Sequence, residues 1–282
     1  MIKLGTSGFS FPDWKGTVYP KKLKQSEMLS YYEQELGFEV CELNYTYYRP
    51  PDPYTTERMA RRVEEGFEFT VKGHKEMTHE IWEPACRQAG IKERTVFKKN
   101  KPLFKSFAQG VEPLAAAGKF GAILLQFPTF FKHTEENIEY LEKCKEWLKP
   151  FPLVIEFRNE AWLGKETYAL LKKDKMGICV VDEPHLPRLL PYEPRSTSNL
   201  GYFRFHGRNK LWYHADVHQR YDYLYSRKEL KEFLPGIKTV EKATKKTFVF
   251  FNNCFMGQSA VNAAQMREML GIKFQKRTPK LF

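Results

Sequence analysis

No run of about 18 consecutive apolar residues occurs in the 282-residue chain, so no membrane-spanning helix is expected. The opening Met1-Ile2-Lys3-Leu4-Gly5-Thr6 lacks a basic region followed by an apolar stretch. A secretory signal is therefore not expected, and the cytoplasm is the expected compartment. Cysteine is sparse and scattered. Cys41, Cys86, Cys144, Cys179 and Cys254 form no C-x-x-C pair, which excludes zinc-ribbon and thioredoxin chemistry by spacing. Five reduced and mostly buried thiols are the expectation. Gly and Pro, at 17 each, are too few for a collagen-like or low-complexity chain. No G-x-G-x-x-G follows the first strand-like run, which argues against an open dinucleotide-binding sheet. Internal repeats are also missing.

Positive charge is plentiful. Lys and Arg number 46 against 34 Asp and Glu, a formal net charge of +12. Hydrophobic residues make up 42%, enough apolar surface to offset chain entropy, so a folded globular chain is expected. The excess charge points to an anionic partner and carries no information about fold.

Eight short runs rich in β-branched and aromatic residues read as strands: 2–6, 38–45, 67–73, 121–127, 153–158, 177–182, 201–206 and 247–252. Helical periodicity lies between them. Thr134 opens one such segment, with Ile138, Leu141, Cys144 and Leu148 on one stripe. Ser26 and Ser226 are candidate N-caps, and Ser226 with Glu229 has capping-box spacing. Gly37, Gly66, Gly118 and Gly177 stand where helices should end and strands begin. Strand, helix, glycine, strand is the pattern of parallel βαβ units. Eight units in this length predict one (β/α)8 barrel domain over residues 1–282. Two connections exceed what a crossover needs. One follows the third strand, from His74 to about Lys101, and holds a basic stretch of Lys92, Arg94, Lys98, Lys99, Lys101 and Lys105. The other follows the sixth, from Glu183 to Leu200, with Pro184, Pro187, Pro191 and Pro194. The basic stretch and the acid-free tail Lys273–Phe282 read first as solvated surface.

Buried parallel strands should be almost wholly apolar. Most of these runs break that rule near their C-terminal ends, where barrel active sites lie. Residues two apart share a face. Glu42 with Asn44, Lys72 with His74, Glu156 with Arg158, and Arg204 with His206 can therefore meet in the barrel mouth, joined by Gln126, Asp182, Asn252 and Asn253. A polar ring serving stability alone would be a poor choice, because apolar replacement is often neutral or better. Glu42, Glu156, Asp182 and His206 are the candidate catalytic groups. Lys72, Arg158, Arg204 and Arg208 are candidate anion ligands, through charge-assisted contacts to carboxylate or phosphate. Glu42, Glu156, Asp182 and His206 could instead hold a divalent metal. Three cations in the same site already neutralise those acids, so no cofactor is expected. His214 and His218 lack the Glu of a metalloprotease helix and are a weak signal. Trp14, Tyr47 and other aromatics follow strands one, two and seven. Most read as loop packing, with stacking on a ligand as the alternative.

The order of these motifs resembles a known family. Gly5-Thr6-Ser7-Gly8-Phe9, Trp14, Tyr19-Pro20, Glu42-Leu43-Asn44-Tyr45-Thr46-Tyr47-Tyr48, Thr78-His79, Gln126-Phe127-Pro128, Glu156-Phe157-Arg158 with Trp162, Asp182, His206-Gly207-Arg208, and Asn252-Asn253 with Asn262-Ala263 are similar to the YecE-like family, the domain of unknown function numbered seventy-two. That resemblance spans nearly the whole chain and implies a TIM barrel, with no settled activity. Ala161 departs from the Ser that often precedes the Trp, and Glu83–Lys101 looks like an insertion. The expected function is binding of a phosphate-bearing or other anionic small molecule, or of nucleic acid, at the barrel mouth, as a phosphodiester hydrolase. Two alternatives stay open. One is a small-molecule isomerase, lyase or hydrolase acting on a sugar or small acid by Glu and His acid-base chemistry. The other is a non-catalytic ligand- or partner-binding barrel.

Overall fold

The computed structural model describes residues 1–81, 100–187, 189–211 and 220–273. Eight parallel strands close into a barrel in sequence order. They are β1 Ile2–Ser7, β2 Val40–Leu43, β3 Glu68–Lys72, β4 Phe120–Gln126, β5 Leu153–Glu156, β6 Gly177–Asp182, β7 Leu200–Phe205 and β8 Lys246–Phe251. Every expected strand is present, within a few residues of its expected ends. Seven helices flank it among the described residues: α1 Met28–Gln34, α2 Pro53–Arg61, α3 Lys101–Ala116, α4 Glu135–Trp147, α5 Lys165–Lys173, α6 Arg227–Ala243 and α7 Gln258–Met269. No helix follows β6 in the described residues of its connection, where the four prolines remove backbone donors a helix needs. None of the described helices is long and apolar enough to cross a membrane.

Local signals explain the helix ends. Thr134 accepts from Asn137 N at the start of α4, and Ser226 and Glu229 form the reciprocal capping box of α6. Ser26 is not a cap: it lies within a 3-10 turn, where Lys24 N donates to Glu27 Oε2 at 3.0 Å. Gly37, Gly66 and Gly118 take positive φ of 68°, 87° and 69°. Gly177 does not. Lys175 makes that turn with φ 54°, and Gly177 sits in β6, where a Cβ would stand 3.1 Å from Val154 Cγ2. In α3, Phe104, Phe107, Val111 and Leu114 are buried at helical spacing.

The lumen is layered by the two-residue strand period. At its N-terminal end Glu68 holds Lys3 at 2.8 Å and Lys246 at 2.5 Å. Above it, Thr70 Oγ1 and Tyr202 Oη lie 2.9 Å apart. The next layer opens towards the mouth. Cys41, Cys144 and Cys179 are buried and Cys254 is half-buried, whereas Cys86 lies outside the described residues.

Gly110 tests the outer packing. A Cβ there would stand 2.1 Å from the backbone oxygen of Pro51, and Thr56 Oγ1 donates to Gly110 O at 2.7 Å. Alanine gains up to about 1 kcal/mol of helix propensity. Backbone overlap costs about 1–3 kcal/mol. Gly110→Ala should therefore lower the urea midpoint. A raised midpoint would show that propensity outweighs the contact.

Candidate functional site

Glu42, on β2, and Glu156, at the end of β5, face each other across the lumen. Arg204 of β7 lies between them. Its Nη2 donates to Glu42 Oε1 and its Nη1 to Glu156 Oε2, each at 2.7 Å. Tyr202 donates to the second oxygen of Glu42 at 2.6 Å. Arg158 Nη2 lies 2.6 Å from Glu156 Oε1, and Arg158 Nη1 pairs with Glu183. Glu183 also accepts from Leu190 N at 2.7 Å, which ties the connection after β6 to the barrel. Glu42, Glu156, Arg204 and His206 are at most 1% exposed. At that depth an unpaired charge would be untenable, and each of these charges is paired.

The environments set protonation. Burial opposes ionisation of Glu156, yet the Arg204 and Arg158 guanidiniums outweigh it and hold its carboxyl well below the usual range. Burial and Arg158 hold His206 well below its ordinary value, so its ring is neutral. Arg158 Nη2 lies 2.8 Å from His206 Nε2, and the Asn252 amide lies 2.9 Å from Nδ1. A neutral imidazole has one N–H. With Nε2 accepting from Arg158, the one N–H is on Nδ1, and this tautomer requires Asn252 to turn its carboxamide oxygen to Nδ1 in place of the Nδ2 that stands there at 2.9 Å.

Above this network is a cavity of about 440 Å³. Lys72, Arg204 and Arg220 supply cations to its lining, and Asp13 an acid. Ser7, Asn44, Gln126 and Asn252 supply neutral polar groups, and Phe11, Tyr47, Tyr48, Tyr221 and Phe255 its aromatic walls. Lys72 Nζ lies 4.7 Å from the Tyr47 ring centroid. Burial and the neighbouring Arg204 push the Lys72 ammonium down to about 7, against the opposing pull of Glu156 and Glu42. His79 also lines the cavity. Burial, then Lys72, pushes it down to about 4, and its ring is edge-on to Tyr47. A larger, more open depression of about 880 Å³ lies in the outer layer between α3 and α4.

The structure thus brings Glu42, Asn44, Tyr47, Lys72, Gln126, Glu156, Arg158, Arg204, His206 and Asn252 to the mouth. It places five other residues expected there elsewhere. Asp182 turns to the helix layer, where Arg208 grips it through Nε and Nη2 at 2.8–3.1 Å and Tyr225 donates at 2.6 Å. Arg208 also lies 3.6 Å from Glu229 on α6. The turn that sends Arg208 away from His206 runs through Gly207, whose φ of 89° suits glycine and whose absent Cβ leaves room for Tyr223. Asn253 donates to Tyr223 O and Asn262 Oδ1, and so holds a loop. Trp14 is buried, with its indole N–H donating to Cys254 O at 2.8 Å. His74, paired with Lys72 by strand period, instead caps the 3-10 turn 75–77 by accepting from Glu76 N.

Glu183 was not among the candidates, although it completes the Arg158 pair. The signal was the adjacent acids Asp182-Glu183: if Cys179 faces inward, strand period points Glu183 inward and Asp182 out. Cys179 does face in, its Sγ 3.7 Å from Glu156 Oε2. Among the described residues, no group of three or more His, Cys, Asp and Glu side chains is arranged to hold a metal. His214, His218, Trp212, Tyr213, the Lys92–Lys99 part of the basic stretch and residues 274–282 of the tail lie outside the described residues.

Lys72 fixes a stability test. Because folding favours its neutral form, the unfolded chain holds the proton more tightly, between about pH 7 and the ordinary lysine range. Below about pH 7 both states carry the charge, and the folded state bears the full cost of burying it. Lys72→Met should raise Tm most at about pH 6.5, and the gain should shrink as pH approaches the ordinary lysine value of about 10. A loss of Tm at the lower pH would mean that the ammonium is a net stabilising partner of the carboxylates.

Comparison with known proteins agrees with this architecture. The UPF0759 protein YunF of Bacillus subtilis (strain 168) is 30% identical over 292 residues, spanning 99% of this chain and 98% of the relative. A DUF72 family protein of Thermotoga maritima MSB8 superposes with a TM-score of 0.86 at 44% identity, covering 96% of this chain and 99% of that one. A DUF72 family protein of Enterococcus faecalis V583 gives a TM-score of 0.83 at 28% identity, over 100% of each chain. The family described as "Protein of unknown function DUF72" matches residues 3–281, and this chain belongs to it.

Proposed function

We propose that the protein binds a small molecule bearing a carboxylate or phosphate group in the cavity at the barrel mouth. The observation that carries this reading is the vertical separation of charge. Glu42, Glu156 and Glu183 lie below the cavity, held by Arg204 and Arg158, whereas Lys72 and Arg204 face into it. An incoming anion meets a lining of three cations, Lys72, Arg204 and Arg220, against one acid, Asp13. The volume of about 440 Å³ suits a small ligand. Tyr47, Tyr48 and Tyr221 offer flat walls to a sugar or ring, and Asn44, Gln126 and Asn252 offer neutral hydrogen bonds.

This reading favours a small molecule over nucleic acid. Lys72, Arg204 and Arg220 line a cavity of about 440 Å³, a size that suits a small ligand. Among the described residues, Glu42 and Glu156 are held in ion pairs and hydrogen bonds and Asp182 faces the helix layer, which weakens the case for those three as general bases.

Calorimetric titration at about pH 6.5 tests the reading, with inorganic phosphate, pyruvate, dihydroxyacetone phosphate, glucose and a single-stranded oligonucleotide as probes. At least one small anion should bind, glucose should not, and Lys72→Met should weaken the anion by about ten-fold or more. Equal binding of glucose would contradict the role of the cations. Binding of the oligonucleotide alone, falling steeply with salt, would move the function to nucleic acid.

A further inference from the structure

Lys72, half-buried at the end of its strand, stands apart from the buried charges below it. The carboxylates nearest to it are taken: Arg204 bridges Glu42 and Glu156, and Arg158 holds Glu156 and Glu183. Among the described residues, Lys72 Nζ has no hydrogen-bond or ion-pair partner, although two carboxylates are close enough to act on it through space. It ends strand β3, so its backbone is held in the barrel, and its side chain lines the cavity. If a fixed positive charge were the only requirement, Arg204 would already meet it. A lysine that is surrounded by charge yet unpaired has its nitrogen lone pair available.

We infer that Lys72 forms an imine with the carbonyl carbon of a small aldehyde or ketone whose carboxylate or phosphate is held beside Arg204. This rests on the anion-site reading above and names its substrate class. Nζ attacks the carbonyl carbon, a C–N bond forms, and the carbonyl π electrons move to oxygen, which is protonated to give a carbinolamine. Loss of water then carries away that oxygen and both amine protons, leaving C=N. Addition of a proton to the nitrogen gives the iminium. No oxidant or reductant is consumed.

Three features of the cavity support this chemistry. Desolvation beside another cation favours the free amine at neutral pH, the known route to imine-forming lysines. Polar atoms of the lining are left over: Ser7 Oγ, Asn44 Oδ1 and Arg204 Nε are buried without a hydrogen-bond partner among the described residues. An oxygen-rich ligand would satisfy such groups, and burying them unpaired is costly. The Tyr47 phenol, which burial pushes up to about 12, stays protonated beside Lys72 and can donate to the carbonyl oxygen.

The test uses the full chain at about pH 7 with pyruvate or dihydroxyacetone phosphate, each with and without sodium borohydride, which reduces an imine to a stable amine. At that pH about half of Lys72 is amine, against roughly one part in 2,500 of an ordinary lysine. Intact-mass and peptide analysis should find one adduct per chain, with Lys72 labelled more than about ten-fold over any other lysine. Lys72→Arg and Lys72→Met should lose the adduct while keeping a cooperative thermal transition. Calorimetric binding of the same probes is measured in parallel without borohydride. Binding without an adduct at Lys72 overturns the imine and leaves the anion site standing. Label spread over surface lysines and unchanged in the variants overturns it as well. Absence of both binding and adduct removes the anion site and the imine together.

Discussion

Arg204 holds the middle of the barrel together. Its two outer nitrogens reach Glu42 on β2 and Glu156 on β5 from β7, so one guanidinium ties three strands across the lumen. The planar fork suits this, because it offers two donors in fixed directions and keeps its charge at any ordinary pH. A lysine could not span both carboxylates with the same geometry. Once the pair is dehydrated, removing the cation would strand two buried carboxylates. Breaking a buried pair in that way costs about 3–5 kcal/mol, a large part of the 5–15 kcal/mol by which domains are stable.

That bridge determines how the rest of the mouth behaves. With both carboxylates engaged, Glu156 remains ionised despite its burial, and Arg158 closes a second layer with Glu183. The neutral His206 ring fits between Arg158 and Asn252 without adding charge. Lys72 lies above a self-paired floor that offers it attraction from a distance and repulsion from Arg204. The consequence is an amine near neutrality facing a cavity, a position that opposes stability and favours chemistry. The chain's +12 charge has little to do with this; a few local pairs decide it.

Much of the barrel was legible in the sequence because a buried parallel strand announces itself as a short apolar run, and polar residues at its C-terminal end mark the mouth. The two-residue period correctly grouped Glu156 with Arg158 and Arg204 with His206. It failed where two polar residues are adjacent. Asp182-Glu183 and Asn252-Asn253 each present one side chain to the lumen and one to the helices, and period alone does not say which. The inward turn of Cys179 settles the first pair, and the contact of Asn252 with His206 the second. Arg208 was misplaced for a different reason: the left-handed turn at Gly207 ends strand alternation, and Asp182 was already waiting on the outer side. His79, Asp13 and Arg220 reach the cavity from outside the strands, so no periodic pattern points to them. The family resemblance brought the fold into view but carried no activity with it.

The central claim is that the barrel keeps the amine of Lys72 unpaired and close to neutrality. An NMR pH titration of protein carrying ¹³C-labelled lysine, with the Lys72 Cε signal assigned by its loss in Lys72→Arg, measures this directly. The account predicts a midpoint near 7 that moves upward when inorganic phosphate occupies the cavity. A midpoint at the ordinary lysine value of about 10.4 would contradict it.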